Sequence, residues 1–174
     1  MLNFAITGGT SGIGACIFTN TECQNFSRST GYDIRTKSSR NDIINNIKDS
    51  VNVFVNNAFS NLNYFAQTEM LYDIAEHWRN EKDKIIVNIS SINAELRNPR
   101  DFMRSKYSIA KRSQDNAIEH LRQLCDCRII NIKPGMVDTE YNKHKDAPKL
   151  QPSDIFDNIL YAIKNNIQDI TITK

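Results

Sequence analysis

Short apolar runs alternate with longer amphipathic stretches from one end of the chain to the other. Leu2 to Ile6, Val51 to Val55, Ile85 to Ile89 and Arg128 to Ile132 are nearly continuous in aliphatic or aromatic residues, the pattern of strands buried on both faces. Cys23 to Phe26, Tyr32 to Ile34 and Ile170 to Thr173 read as shorter strands. Between them apolar residues recur at helical spacing. Ile13 to Phe18 opens a first helix, and Asn41 to Lys48 carries the stripe Ile43, Ile44 and Ile47. Met70, Leu71, Ile74, Ala75 and Trp78 mark a longer helix that begins near Phe65. Ser105 to Leu124 is the longest, with Ile109, Ala117, Ile118 and Leu121 on its apolar face. Pro152 stands in the first turn of a last helix, ahead of Ile155, Phe156, Ile159 and Ile163.

Strands that alternate with helices predict an α/β protein, a parallel sheet covered by helices on both faces. No internal repeat, linker or low-complexity tract interrupts residues 1–174, which read as a single domain. In such sheets ligands bind outside the carboxyl ends of the strands. Four stretches fall there: the loop Thr7 to Gly14, Asn56-Asn57-Ala58, Ser90-Ser91 and Pro134-Gly135.

Composition narrows the partners. Hydrophobic residues make up 40% and charged residues 24% of the chain, ordinary for a globular domain. Lys+Arg 22 against Asp+Glu 20 leaves a net charge of +2, with no basic stripe, so nucleic acid is not an expected partner. No apolar run reaches the ~18 residues of a membrane span. The N-terminus lacks a basic n-region, so a cytoplasmic protein without a signal peptide is expected. Cys16, Cys23, Cys125 and Cys127 lack C-x-x-C spacing and the three histidines are scattered. Reduced thiols and no metal site follow as the expectation.

The candidate chemistry begins at the first loop. Gly8, Gly12 and Gly14, with Thr10, Ser11 and Ile13 between them, stand between a strand and a helix start. Glycines there let backbone approach a pyrophosphate, and the helix N-terminus favours its charge. On the longest helix Tyr107 and Lys111 lie one turn apart and share a face. An ammonium beside a phenol favours phenolate and brings it towards the range of a general acid/base. A serine at a neighbouring strand end could hold a substrate oxygen. Tyr141 and Lys145 repeat the spacing, in a polar stretch that needs no helix.

Taken together, these residues resemble the short-chain dehydrogenase/reductase family. The resemblance is carried in order along the chain by the Thr7–Gly14 loop, Asp33-Ile34, Asn56-Asn57-Ala58 and Asn88-Ile89-Ser90-Ser91. It continues through Tyr107 with Lys111 and through Pro134-Gly135-Met136-Val137-Asp138-Thr139. It implies a three-layer, doubly wound Rossmann-like fold with a mostly parallel sheet of about seven strands, binding a nicotinamide dinucleotide. It implies Tyr107 as acid/base, Lys111 lowering its pKa and holding the nicotinamide ribose, and Ser91 orienting the substrate, with Ser90 as fallback. Val137 and Thr139 would touch the nicotinamide end, Asp33 and Ile34 the adenine, and Asn56, Asn57 and Ala58 the centre of the cofactor. The family's catalytic asparagine maps best to Asn63, with Asn61 close behind.

Where a carboxylate would bond a ribose 2′-hydroxyl, this chain has Ser27 followed by Arg28, whose guanidinium can pair with a phosphate. NADP(H) is therefore the expected cofactor, with NAD(H) possible. The resemblance also implies a homodimer or homotetramer, for which Met70, Leu71, Ile74 and Trp78 could supply surface. The chain departs from the pattern at Phe59, where the family has glycine, in a clipped first helix, and in a basic insert from Arg97 to Arg104. After Thr139 only Glu140 to Gln151 stands where most members have a substrate lid. The expected activity is an NADP(H)-dependent interconversion of carbonyl and alcohol on a small-molecule or carrier-bound substrate. The alternative is a non-catalytic dinucleotide-binding or scaffold protein, favoured by Phe59 and the short lid. Nucleotide hydrolysis through a P-loop lacks its Gly-Lys-Ser/Thr.

Overall fold

The computed structural model describes residues 1–97 and 101–174. Of the basic insert expected from Arg97 to Arg104, residues 98–100 lie outside the described residues, and Phe102 to Arg104 open a helix capped by Asp101.

Six strands form one sheet among the described residues: β1 (Phe4–Thr7), β2 (Cys23–Phe26), β3 (Val53–Asn56), β4 (Ile85–Ile89), β5 (Arg128–Pro134) and β6 (Asp169–Ile172). Their order is β2-β1-β3-β4-β5-β6, and every neighbouring pair is parallel. The sheet has six strands rather than about seven because Tyr32 to Ile34 is not a strand. The Tyr32 N–H is instead taken by the Ser27 carbonyl, and the Asp33 N–H by Ser39 Oγ. With two of its three backbone donors turned back on the local chain, this segment does not pair with the sheet edge.

The crossovers are α1 (Gly12–Asn20), α2 (Lys37–Asn46), α3 (Ala66–His77), α4 (Phe102–Leu124) and α5 (Pro152–Asn165). Alternate strand residues feed two cores, as period-two side chains of a sheet must. Ala5, Phe54, Ile86 and Ile129 pack with α2, α3 and α4, whereas Ile6, Val55, Val87 and Ile130 pack with α1 and α5. Met70, Leu71, Ile74 and Trp78 are buried in the first of these cores, so they supply no subunit surface. Their apolar stripe is the face of α3 that covers the sheet. Among the described residues no helix is long and apolar enough to cross a membrane.

One row of the sheet is polar. Asn56, Asn88 and Asn131 stand side by side on β3, β4 and β5. Asn56 Nδ2 donates to Asn88 Oδ1 at 3.0 Å, and Asn88 Nδ2 to Asn131 Oδ1 at 3.1 Å. Asn131 Nδ2 then reaches Asp115 Oδ1 on α4 at 2.8 Å. All three asparagines are buried, and this linked row meets most of the demand that burial of amides makes.

Candidate active site

The chain leaves β1, runs out to β2 and returns to β3 on the other side of β1, so the direction of strand order reverses between β1 and β3. The segments that leave those strands at their carboxyl ends frame a crevice there. From β1 comes the glycine loop. Gly8 has φ +76° and Gly12 φ +55°, conformations that residues with a Cβ rarely adopt, and a Cβ on Gly14 would run into the Gly8 carbonyl oxygen. The N-cap of α1, Ser11, makes no side-chain capping bond, and no acidic residue stands in the first turn. The first amides of α1 are thus left for an anion. This loop fits the pyrophosphate of a dinucleotide.

β3 braces the loop. Thr7 Oγ1 accepts from the Asn57 and Ala58 amides, both at 3.1 Å. Asn57 Nδ2 donates to the carbonyls of Thr7 at 3.1 Å and Gly8 at 3.2 Å. From β2, Asn25 Oδ1 accepts the Gly9 amide at 3.0 Å and the Ser27 hydroxyl at 2.6 Å. The loop is therefore held from both neighbouring strands.

A cleft of about 180 Å³ opens beside it. Ser91, Tyr107 and Lys111 line one part, and Ile13 and Asn57 another. Pro134, Gly135, Val137 and Thr139 complete it from the segment that ends and follows β5, with Thr139 against Gly12. That segment is closed by a bridge between Val137 and Leu150, in which the Leu150 amide bonds Met136 O at 2.8 Å and the Asp138 amide bonds Leu150 O at 2.7 Å. The short lid region from Glu140 is a loop tied at its base, with Asn142 reaching the cleft.

Burial raises the Tyr107 phenol above its ordinary pKa, opposed by the Ser91 hydroxyl and reinforced by Tyr141. Lys111 Nζ lies 5.7 Å from the centre of the Tyr107 ring. Lys111 Nζ donates to Gln67 Oε1 and to the Ile89 carbonyl, both at 2.8 Å. It is buried, and desolvation pulls it down to about 7, against an opposing pull from Asp115.

Gln67 is a site residue that motif reasoning misses. It is fully buried, and its Nε2 donates to Asn56 O at 2.7 Å and Ile89 O at 3.1 Å while its Oε1 takes Lys111. The available signal was its position: a glutamine in helical phase with Met70, Leu71 and Ile74, on the face of α3 that is otherwise apolar.

The remaining expected residues fall elsewhere. Asn63 is not in the cleft; its Oδ1 accepts the Phe65 amide in a turn ahead of α3. Asn56 is buried behind the cleft in the asparagine row. Ser90 borders the cleft, but its hydroxyl is given to Asp115 Oδ1 at 2.7 Å, which leaves Ser91 as the serine beside Tyr107. Ile34 is a core residue. Asp33 is paired with Arg35, which holds its carboxyl below the usual range. Thr10, Ser11 and Arg28 are exposed on the loop side, and Arg28 forms no ion pair among the described residues. Among those residues no cluster of His, Cys, Asp or Glu side chains could hold a metal ion.

No family model and no curated protein matches the chain. Solved structures do match its fold. A short-chain dehydrogenase from Burkholderia cenocepacia in complex with NADP superposes with a TM-score of 0.79 at 18% identity, over 99% of this chain and 88% of that one. A short-chain dehydrogenase/reductase from Vibrio parahaemolyticus gives 0.78 at 17% identity, over 97% and 98%. The 3-alpha-hydroxysteroid dehydrogenase from a Pseudomonas species, complexed with NADH, gives 0.75 at 16% identity, over 97% and 94%. The fold is that of the short-chain dehydrogenases/reductases.

Proposed function

We propose that this protein is an NADP(H)-dependent oxidoreductase that interconverts a carbonyl and an alcohol. The observation that carries the reading is the meeting of Ser91, Tyr107 and Lys111 in one cleft, beside an uncapped helix N-terminus framed by glycines. The NADP bound by the Burkholderia cenocepacia structure supports the cofactor, as does the exposed guanidinium of Arg28 after β2.

The glycine loop and Asn57 would hold the dinucleotide, and Arg28 its 2′-phosphate. When bound, the reduced nicotinamide supplies hydride to the carbonyl carbon. Tyr107 donates the proton to the carbonyl oxygen, and Ser91 holds that oxygen through its hydroxyl. A phenol kept protonated by burial is suited to the donor role in the reductive direction. Lys111 is fixed beneath the phenol by Gln67 and Ile89 O, where its charge state responds to pH near neutrality.

Thermal unfolding with increasing NADPH, and separately NADH, tests the reading. A ligand at one hundred times its Kd adds ~2.7 kcal/mol of stability. Stabilisation by NADPH at concentrations well below those needed for NADH is the expected result. No shift with either would favour the second reading, a scaffold that keeps the fold without the chemistry. One observation speaks for it: the Phe59 ring lies over Lys111 Nζ at 5.4 Å and narrows the cleft.

Four unpaired thiols suit a reducing compartment, so we place the protein in the cytoplasm. We also propose a homodimer or homotetramer. Tyr72 on α3 and Ile109 on α4 are exposed there, and sedimentation at a monomer's mass would refute it.

A further inference from the structure

The phenol that would do the chemistry packs against one aromatic ring, which a second ring backs. Phe59 meets Tyr107 edge to face, with centroids 5.0 Å apart and planes at 83°. Tyr64 meets Phe59 in the same manner from the loop ahead of α3, at 5.7 Å and 77°. Lys111 Nζ lies against the Phe59 ring as well. Two contacts from α4 and one from its own loop thus surround one ring, yet 37% of Phe59 remains exposed, and it lines the cleft with Ser91 and Tyr107. Its packing against Tyr107 and Tyr64 leaves part of the ring facing the cleft.

We propose that Phe59, backed by Tyr64, is a specificity-determining wall that selects substrates whose reacting carbonyl or hydroxyl carries a flat aromatic group. The inference rests on the oxidoreductase reading above. A molecule whose oxygen reaches Ser91 and Tyr107 shares the cleft with Phe59, so that ring is a wall available to the group beside its carbonyl. An aromatic group there gains an edge-to-face or offset contact with a ring already immobilised, worth up to about tenfold in affinity beyond area burial. A polyhydroxylated group placed there would lose hydration without finding a hydrogen-bond partner on the ring. The wall therefore discriminates in both directions.

The test uses acetophenone and 2-octanone, ketones of equal carbon number, with the full-length protein and its Phe59→Ala, Phe59→Leu and Tyr64→Ala variants. Ketone binding to the NADPH complex is measured by ligand-observed NMR, reduction by NADPH oxidation, and NADPH affinity by thermal shift. Phe59→Leu keeps apolar volume without a ring, so it remains informative if Phe59→Ala fails to fold. The expected result is a preference of about tenfold for acetophenone, lost in both Phe59 variants and weakened in Tyr64→Ala, with NADPH affinity unchanged. Equal binding of the two ketones, or a preference that survives both Phe59 variants, overturns the proposal. So does a tenfold change of NADPH affinity in the variants with ketone preference unaltered, which would place the ring against the cofactor. If NADPH binds and neither ketone is reduced, the oxidoreductase reading fails on its own. Binding preference then still decides whether the wall exists.

Discussion

Lys111 Nζ and Gln67 Oε1 lie 2.8 Å apart with both side chains buried, a contact between α4 and α3 across the back of the cleft. An ammonium in that position has few ways to be satisfied, and Gln67 supplies one of its two protein acceptors. Gln67→Met should cost about 1–3 kcal/mol of stability, because it leaves a buried donor short of a partner. Gln67→Glu should raise the Lys111 pKa instead, by placing a carboxylate beside it. Chemical denaturation reads the first, and isotope-edited NMR of the lysine ε position reads the second. An unmoved lysine titration in Gln67→Glu would remove Gln67 from the site.

Lys111 also makes a prediction about pH. Its proton is held only to about 7 in the folded protein, against 10.5 for the free side chain. Between those values the unfolded chain binds the additional proton, so this group makes stability rise with pH across that window. Below it the whole cost of burying the ammonium is present. Lys111→Met should therefore gain on the parent most near pH ~6 and lose that advantage progressively towards pH ~9. Parallel stability profiles for the two proteins would show that Lys111 titrates normally.

Tyr107→Phe removes one hydroxyl from a half-buried ring whose edge-to-face contact with Phe59 survives the change. Turnover should fall by about 10²–10⁴-fold, the usual worth of a positioned acid/base, while the NADPH-induced thermal shift persists. Undiminished turnover with any substrate that the parent reduces would end the assignment of Tyr107.

The asparagine row predicts a structural effect. Asn88→Ala strips partners from Asn56 Nδ2 and Asn131 Oδ1 at once, both inside the sheet. A loss of about 2–4 kcal/mol is expected, measured by urea unfolding, without a large change in NADPH affinity. A loss under about 1 kcal/mol would mean that water takes over these bonds.

Much of this fold was legible in the chain, since near-continuous apolar runs such as Ile85 to Ile89 can hardly be anything but buried strands. The convergence of Ser91, Tyr107 and Lys111 was legible too, from motif order. Tyr32 to Ile34 misled because its β-like composition is overruled by turns to Ser27 and Ser39. Asn63 matched by residue type, yet its Oδ1 takes the Phe65 amide in a turn outside the cleft, which residue type does not show. Gln67 stayed hidden because a polar residue on an apolar helix face declares a buried partner without naming it.

The row of Asn56, Asn88 and Asn131 has a further consequence for how the sheet assembles. Apart from their asparagines, the central residues of β3, β4 and β5 are apolar on both faces, so sliding one strand past another would exchange Val for Ile at little hydrophobic cost. Besides Arg128 and Lys133 of β5, the amide-bearing positions distinguish correct alignment from a slipped one. Displacing β4 strands the Asn88 amide against aliphatic neighbours, and on both sides at once. The row thus acts as an alignment key, penalising mispaired intermediates before the cleft exists. A variant with leucine at all three positions should regain much of the burial energy yet refold slowly and heterogeneously, because its strands no longer have a unique way to match.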